Sequence, residues 1–233
     1  MSDLRVFADA HAAAEACAAE VLRRLGEKDR STLAISGGTS PKPMFEIFAA
    51  SGFDWSRVQL FWVDERCVPP DNAQSNFKLA NDAWLAPAKF PAANIHRVQT
   101  ERDPEDAAEI YADELKLVFG PGVPSFDVIH RGMGPDAHTA SLFPGEPLIA
   151  DREGLTAAVY VEKLKSHRVT LLPAVLLAAK HTVMLVAGAD KAEPLESVLY
   201  GLHDPSQFPC QLGERDGCPV AWFLDQAASA KLK

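Results

Sequence analysis

The sequence predicts an α/β fold: a three-layer, Rossmann-like arrangement with a mostly parallel sheet and helices on both faces. Three observations carry this. Short apolar runs alternate along the chain with Ala-, Leu- and Glu-rich segments of helical character, the order from which parallel sheets are built. Gly, Pro, Asp and Ser cluster where those runs end, as turns require. Hydrophobic residues make up 47% of 233 residues, enough for a sizeable core. No internal repeat or interdomain linker is visible, so one domain over 1–233 is expected.

The elements follow in order. Residues 9–28 predict an amphipathic helix ending near Gly26, and Thr32-Leu33-Ala34-Ile35 a buried strand. Ser36-Gly37-Gly38-Thr39-Ser40 is a turn. Pro41 suits the first position of the next helix, where its missing N–H costs nothing, and that helix is expected to reach about residue 50. Residues 58–63 form a second strand ending in Asp64-Glu65-Arg66, followed by a proline-rich loop and a helix over 74–84. Residues 104–119 predict a helix with Pro104 at its start and an acidic first turn. A strand at 126–129 runs into a glycine-rich loop. Strands at 156–161 and 168–171, a short helix at 174–179, a strand at 182–187 and a helix at 191–199 come next. A loop over 201–217 precedes a closing strand at 220–224.

Composition excludes several functions. A net charge of −9 lacks the basic face that displaces counterions from nucleic acid. It also requires that any anion site be built from local donors. The longest apolar stretch, near 169–177, is too short for a membrane span and is interrupted by Pro173. The first residues, Met1 to Arg5, lack the basic segment and apolar core of a secretory signal. Cys17, Cys67, Cys210 and Cys218 form no CxxC pair and no zinc spacing, so no metal site is legible. Scattered thiols fit a reducing cytoplasm.

The groups that carry chemistry fall at strand ends, where open α/β sheets bind ligands. The loop after residue 129 reads Gly132-Met133-Gly134-Pro135-Asp136-Ala137-His138, placing a carboxylate and an imidazole on a sharp turn. Ser36-Gly37-Gly38-Thr39-Ser40-Pro41 offers close backbone approach and free amides at a helix start, which suit an anion. It is neither a Walker loop nor a dinucleotide fingerprint, and taken alone it is better explained as a plain β–α turn with a Ser/Thr cap. In Asp64-Glu65-Arg66, Arg66 can clamp a phosphate while Asp64 and Glu65 hold hydroxyls or orient Arg66. The rival is a solvated strand end with internal ion pairs. Arg168 and Lys191 add cations at further strand ends. His11, His96, His130, His181 and His203 belong to no constellation and are expected to be structural or on the surface. Convergence of all these turns on one sheet edge is the argument for a site.

Together these residues resemble the 6-phosphogluconolactonase family. The resemblance is carried by Ser36-Gly37-Gly38-Thr39-Ser40-Pro41; by Trp62-x-Asp64-Glu65-Arg66-x-Val68-Pro69 with Ser75-Asn76; by Gly132 through Pro144; and by Arg168-Val169-Thr170 and Gly188-x-x-Lys191. It covers nearly the whole chain. It implies the fold shared with glucosamine-6-phosphate deaminase, and hydrolysis of 6-phospho-D-glucono-1,5-lactone in the oxidative pentose phosphate pathway, without metal or organic cofactor. It assigns His138 as general base with Asp136 orienting its ring. Gly37, Gly38, Thr39, Ser40, Asp64, Arg66, Asn76, Arg168 and Lys191 become the residues expected to bind the substrate and its phosphate. No nucleic acid, membrane or obligate protein partner is implied. Ser141 sits in no nucleophile-elbow pattern, which favours direct attack by water.

Two departures from the family pattern stand out. Ala137 replaces a usual glycine, and His130-Arg131 replaces residues that are usually apolar or glycine. Two other functions share the fold. The deaminases resemble one another in a Glu five residues after the loop histidine, where this chain has Phe143. Sugar-phosphate-sensing regulators need a DNA-binding module for which the N-terminal region has no room.

Overall fold

The computed structural model describes residues 3–213 and 220–232. Met1, Ser2, Cys218 and the last residues of the expected loop, 214–217, lie outside the described residues. Ten strands are described: β1 (Asp3–Phe7), β2 (Ser31–Ile35), β3 (Val58–Trp62), β4 (Asp64–Arg66), β5 (Ile95–His96), β6 (Val128–Arg131), β7 (Thr156–Val161), β8 (Ser166–Leu171), β9 (Thr182–Val186) and β10 (Val220–Asp225). The α-helices are α1 (Ala10–Leu25), α2 (Lys42–Ala50), α3 (Asn76–Ala80), α4 (Pro104–Phe119), α5 (Pro173–Leu177) and α6 (Ala192–Tyr200).

Seven strands form one parallel sheet in the order β1-β10-β9-β6-β2-β3-β5. Its central strands are buried on both faces, which is why they read as continuous apolar runs. On one face, α1, α2 and the segment after α3 enclose an aromatic cluster. There Trp84 lies 4.9 Å from Phe48 and 4.6 Å from Trp55, ring centre to ring centre. On the other face, α4 and α5 pack beneath Phe61, Phe126 and Ile129, and α6 packs beneath Met184, Val186, Trp222 and Leu224. The helix ends follow local chemistry. Asp9 accepts from the Ala12 amide to start α1, Asp103 accepts from the Glu105 amide to start α4, and Gly120 at φ 80° ends α4.

The fold differs from expectation in its strands more than its helices. β1 went unpredicted because it is a short edge strand whose residues are mostly exposed or half-buried, and β5 because it has two residues. The helix expected over 74–84 is α3 followed by a π-turn at Asn81–Leu85. The larger correction concerns 64–66, 156–161 and 168–171. These pair as a separate antiparallel sheet, β4-β8-β7, rather than joining the parallel one. Val63 is the joint: its amide donates to Ile35 O and its carbonyl accepts from the Leu171 amide, both at 2.8 Å. The Tyr111 hydroxyl, from α4, donates to Trp62 O and accepts from Trp62 N at 2.8 Å, fixing the point where the chain leaves the main sheet.

This strand order sets the site. From β2 the chain proceeds outward to β3 and β5, whereas β6, β9 and β10 build outward on the other side of β2. The β2/β6 boundary is therefore a topological switch point, where a crevice opens at the carboxyl ends of the strands. The Ser36–Pro41 turn leaves one of those strands and the Gly132–His138 loop leaves the other.

Candidate active site

A cavity of ≈ 270 Å³ opens at the switch point. Each sequence-predicted site residue except Asp136 lines it, and Asp136 sits behind His138. The cavity wall carries Arg66, Arg168 and Lys191 against Asp64 and Asp190, a local cationic excess within a chain of net charge −9. This resolves how an acidic protein can offer an anion site.

The Asp136–His138 pair is tightly built. The His138 ring Nδ1 lies 2.5 Å from Asp136 Oδ1, which also accepts the His138 amide at 3.2 Å. Lys163, which belongs to none of the sequence motifs, bonds the other carboxylate oxygen. Burial alone would raise the Asp136 carboxyl, but the bonds from His138 and Lys163 outweigh it and hold it well below the usual carboxylate range. With Nδ1–H directed at a carboxylate, Nε2 is the basic nitrogen. A Cβ on Gly134 would fall 2.0 Å from the His138 ring, so only glycine lets the imidazole fold back on its own loop. The loop closes through Gly134 N to His138 O at 2.9 Å and is tied to the C-terminal segment by Cys210 N to Ala137 O at 3.0 Å. Arg131 braces it further, donating to Thr139 Oγ1 at 3.1 Å and Leu212 O at 3.0 Å. Ala137 has φ 61°, so the position that departs from the glycine pattern is left-handed and carries strain.

The Ser36–Pro41 turn lies across the cavity. Gly38 has φ +100°, and a Cβ on Gly37 would fall 1.9 Å from Asn76 Oδ1. No side chain caps the first turn of α2, so its amides retain hydrogen-bonding capacity toward the cavity end. Lys191 reaches the cavity from the turn after β9 and pairs with Asp190 at 2.8 Å.

The remaining wall comes from the small sheet. Antiparallel register sets Arg66 opposite Arg168 and Asp64 opposite Thr170, so alternation places Asp64, Arg66 and Arg168 on one face. Asp64 accepts from Ser141 Oγ at 2.8 Å, with Arg168 at 3.7 Å. Ser141 is fully buried and positions Asp64. Arg66 donates to Gln74 O at 2.6 Å, and Asn76 donates to Asp64 O at 2.8 Å. Glu65 departs from expectation. It points to the other face and accepts from the amides of Arg66, Asn76 and Phe77 and from Ser75 Oγ, anchoring the start of α3 rather than holding a hydroxyl or steering the Arg66 side chain. Phe143 lies beside His138, with ring centres 4.2 Å apart and ring planes tilted by 31°.

The family model for glucosamine-6-phosphate isomerases/6-phosphogluconolactonase matches residues 7–222. The chain belongs to this family. A 6-phosphogluconolactonase of Synechocystis is 36% identical over 91% of this chain and 89% of its own length. One from Nostoc is 38% identical over 88% and 86%. Among solved structures, a 6-phosphogluconolactonase of Thermotoga maritima superposes with a TM-score of 0.83 at 29% identity, covering 97% of this chain and all of that one. The α/β fold with its mostly parallel sheet is thus the fold of this family.

Two placements in the site emerge only from the structure. Lys163 was missed because it lies on the separate antiparallel hairpin, 27 positions from Asp136. His130, expected to be structural or on the surface, lies at the cavity floor with Ser36. Its place on the buried strand that feeds the Gly132–His138 loop was the available signal. Among the described residues, no cluster of three or more His, Cys, Asp or Glu can hold a metal ion, and no helix is long and apolar enough to cross a membrane.

Proposed function

We propose that this chain hydrolyses 6-phospho-D-glucono-1,5-lactone to 6-phospho-D-gluconate, with His138 activating water. A δ-lactone is an activated ester, so no covalent intermediate is required. His138 Nε2 takes a proton from water as its oxygen bonds to C1. Collapse of the tetrahedral intermediate breaks the bond from C1 to the ring oxygen, and the imidazolium returns the proton to that oxygen. Asp136 holds the tautomer and stabilises the transient imidazolium. The phosphate is held at the Ser36–Pro41 turn, with Gly37, Gly38, Thr39 and Ser40 supplying donors and Lys191 a cation. Arg66, Arg168, Asp64 and Asn76 line the path between. Since the phosphate lies away from the reacting carbonyl, its role is positioning. The setting is a reducing cytoplasm, consistent with the free thiols of Cys17, Cys67 and Cys210.

The observation that carries this reading is one cavity holding both a carboxylate-backed imidazole and a cationic, glycine-lined turn. The family's other named activity, the isomerase, is disfavoured by Phe143. An aromatic ring beside His138 offers no proton relay where deaminases resemble one another in a Glu. The test is decay of 6-phosphogluconolactone, generated in situ from glucose 6-phosphate, alongside ammonia release from glucosamine 6-phosphate. Accelerated lactone decay without ammonia is expected; ammonia release without lactone hydrolysis would overturn the reading.

A further inference from the structure

The cavity floor holds two polar side chains that the reaction above does not use. His130, on β6, is 1% exposed, and Ser36, directly after β2, is 5% exposed. They are neighbours across the switch point, the Ser36 amide donating to His130 O at 3.1 Å. Among the described residues, neither nitrogen of the His130 ring nor the Ser36 hydroxyl has a hydrogen-bond partner. Buried polar groups are nearly always satisfied, so such groups beside one cavity call for an explanation.

Strand alternation fixes where the imidazole points. Ile129 packs in the core beneath α4, so His130 and Val128 face the α1/α2 side of the sheet. That is the side on which the Ser36–Pro41 turn enters α2. Leu185, two positions along β9 from the register partner of His130, faces the same way and lines the same cavity. Lys191 reaches it from the turn beyond.

We propose that His130 contacts the substrate: its ring nitrogens, closed off from solvent in the free protein, turn toward the cavity as the phosphoryl group enters, forming with Ser36 a polar floor beneath the Gly37–Thr39 turn and donating an imidazole N–H to that group. This rests on the lactonase reading of the site. An apolar residue here would give that group no donor from below, which makes His130 a specificity-determining contact peculiar to chains with this substitution. Burial keeps the free imidazole neutral, its pKa pushed down to about 3, so it presents one donor and one acceptor. The Ser36 hydroxyl, which can donate or accept, complements either nitrogen.

The test compares wild type, His130→Leu and His130→Gln on 6-phosphogluconolactone and on unphosphorylated glucono-1,5-lactone. His130→Leu is expected to raise KM for the phosphorylated lactone about tenfold, the effect of one lost hydrogen bond to a charged group. Its kcat should stay within about threefold, kcat/KM for the unphosphorylated lactone should hold, and His130→Gln should recover part of the loss. Equal effects on both lactones, or none on either, would overturn the proposal. A measurement on wild type alone covers variants that fold poorly. In the nitrogen-15 NMR spectrum, the His130 ring signals should move on titration with 6-phosphogluconate and with inorganic phosphate. Signals unmoved by saturating 6-phosphogluconate would also overturn it. If wild type binds 6-phosphogluconate through His130 yet hydrolyses no lactone, the reaction assignment fails and this contact stands.

Discussion

The two sides of the cavity are built on opposite terms. Around His138 nearly every polar group has its partner within the protein. Asp136 holds Nδ1, Lys163 holds Asp136, Gly134 and Cys210 close the loop, and Arg131 braces Thr139. Around the Ser36–Pro41 turn the balance is reversed. The first turn of α2 has no side-chain cap, and the Ser36 hydroxyl and His130 ring have no partner among the described residues. Groups that perform chemistry need fixed geometry before the substrate arrives. Groups that bind an anion must keep hydrogen-bonding capacity in reserve, because a donor already satisfied gains little from a ligand. The difference is what the proposed division between chemistry and binding requires.

Variants can break this contrast or sharpen it. Asp136→Asn keeps the shape of the chemical side but removes the charge that holds Nδ1–H. It should lower kcat by roughly 10²–10⁴ with little change in KM, measured in steady state. A large rise in KM instead would make Asp136 a binding group and dissolve the distinction. On the binding side, His130→Leu should alter acid stability. The folded pKa of His130, about 3, lies below its ordinary 6.5, so between those values the unfolded chain binds more protons and stability falls as pH falls. Denaturant titrations from pH 7 to 4 should show the variant losing less stability than wild type, by up to about 1.4 kcal/mol per pH unit. Parallel curves would mean that His130 is not buried neutral. The smallest effect is expected at Ala137→Gly. Relief of a left-handed alanine, about 1–2 kcal/mol, exceeds the loss of one buried methyl, about 0.8 kcal/mol. A net gain of about 0.5 kcal/mol, visible as a higher Tm with unchanged kcat, follows; a lower Tm would show that the loop carries no strain there.

Much of this was legible in the chain because the main sheet is parallel and buried. Its central strands read as apolar runs, and each ended in a turn bearing functional groups. Gly132–His138 and Ser36–Pro41 fall where that reasoning puts them. What escaped it depended on pairing. Nothing local marks 64–66 as the first strand of a second sheet, yet its register with β8 decides that Asp64 and Arg66 face the cavity while Glu65 turns to α3. Lys163 comes to Asp136 through that same hairpin. His130 stands out in the sequence only as a departure from the family pattern, because an isolated histidine in a strand has no spacing to give it a role; only the neighbouring strands show what lies beside it. The edge strand β1 is largely exposed and lacked the apolar signal that revealed the others.

The division of labour is tested most directly by steady-state kinetics of His138→Ala and Lys191→Ala beside wild type, on 6-phosphogluconolactone across a range of concentrations. The account predicts that His138→Ala loses roughly 10²–10⁴ in kcat at near-constant KM. It predicts that Lys191→Ala raises KM about tenfold or more at near-constant kcat, as the loss of a charged hydrogen bond to phosphate requires. Wild-type-like turnover by well-folded His138→Ala would contradict the central claim.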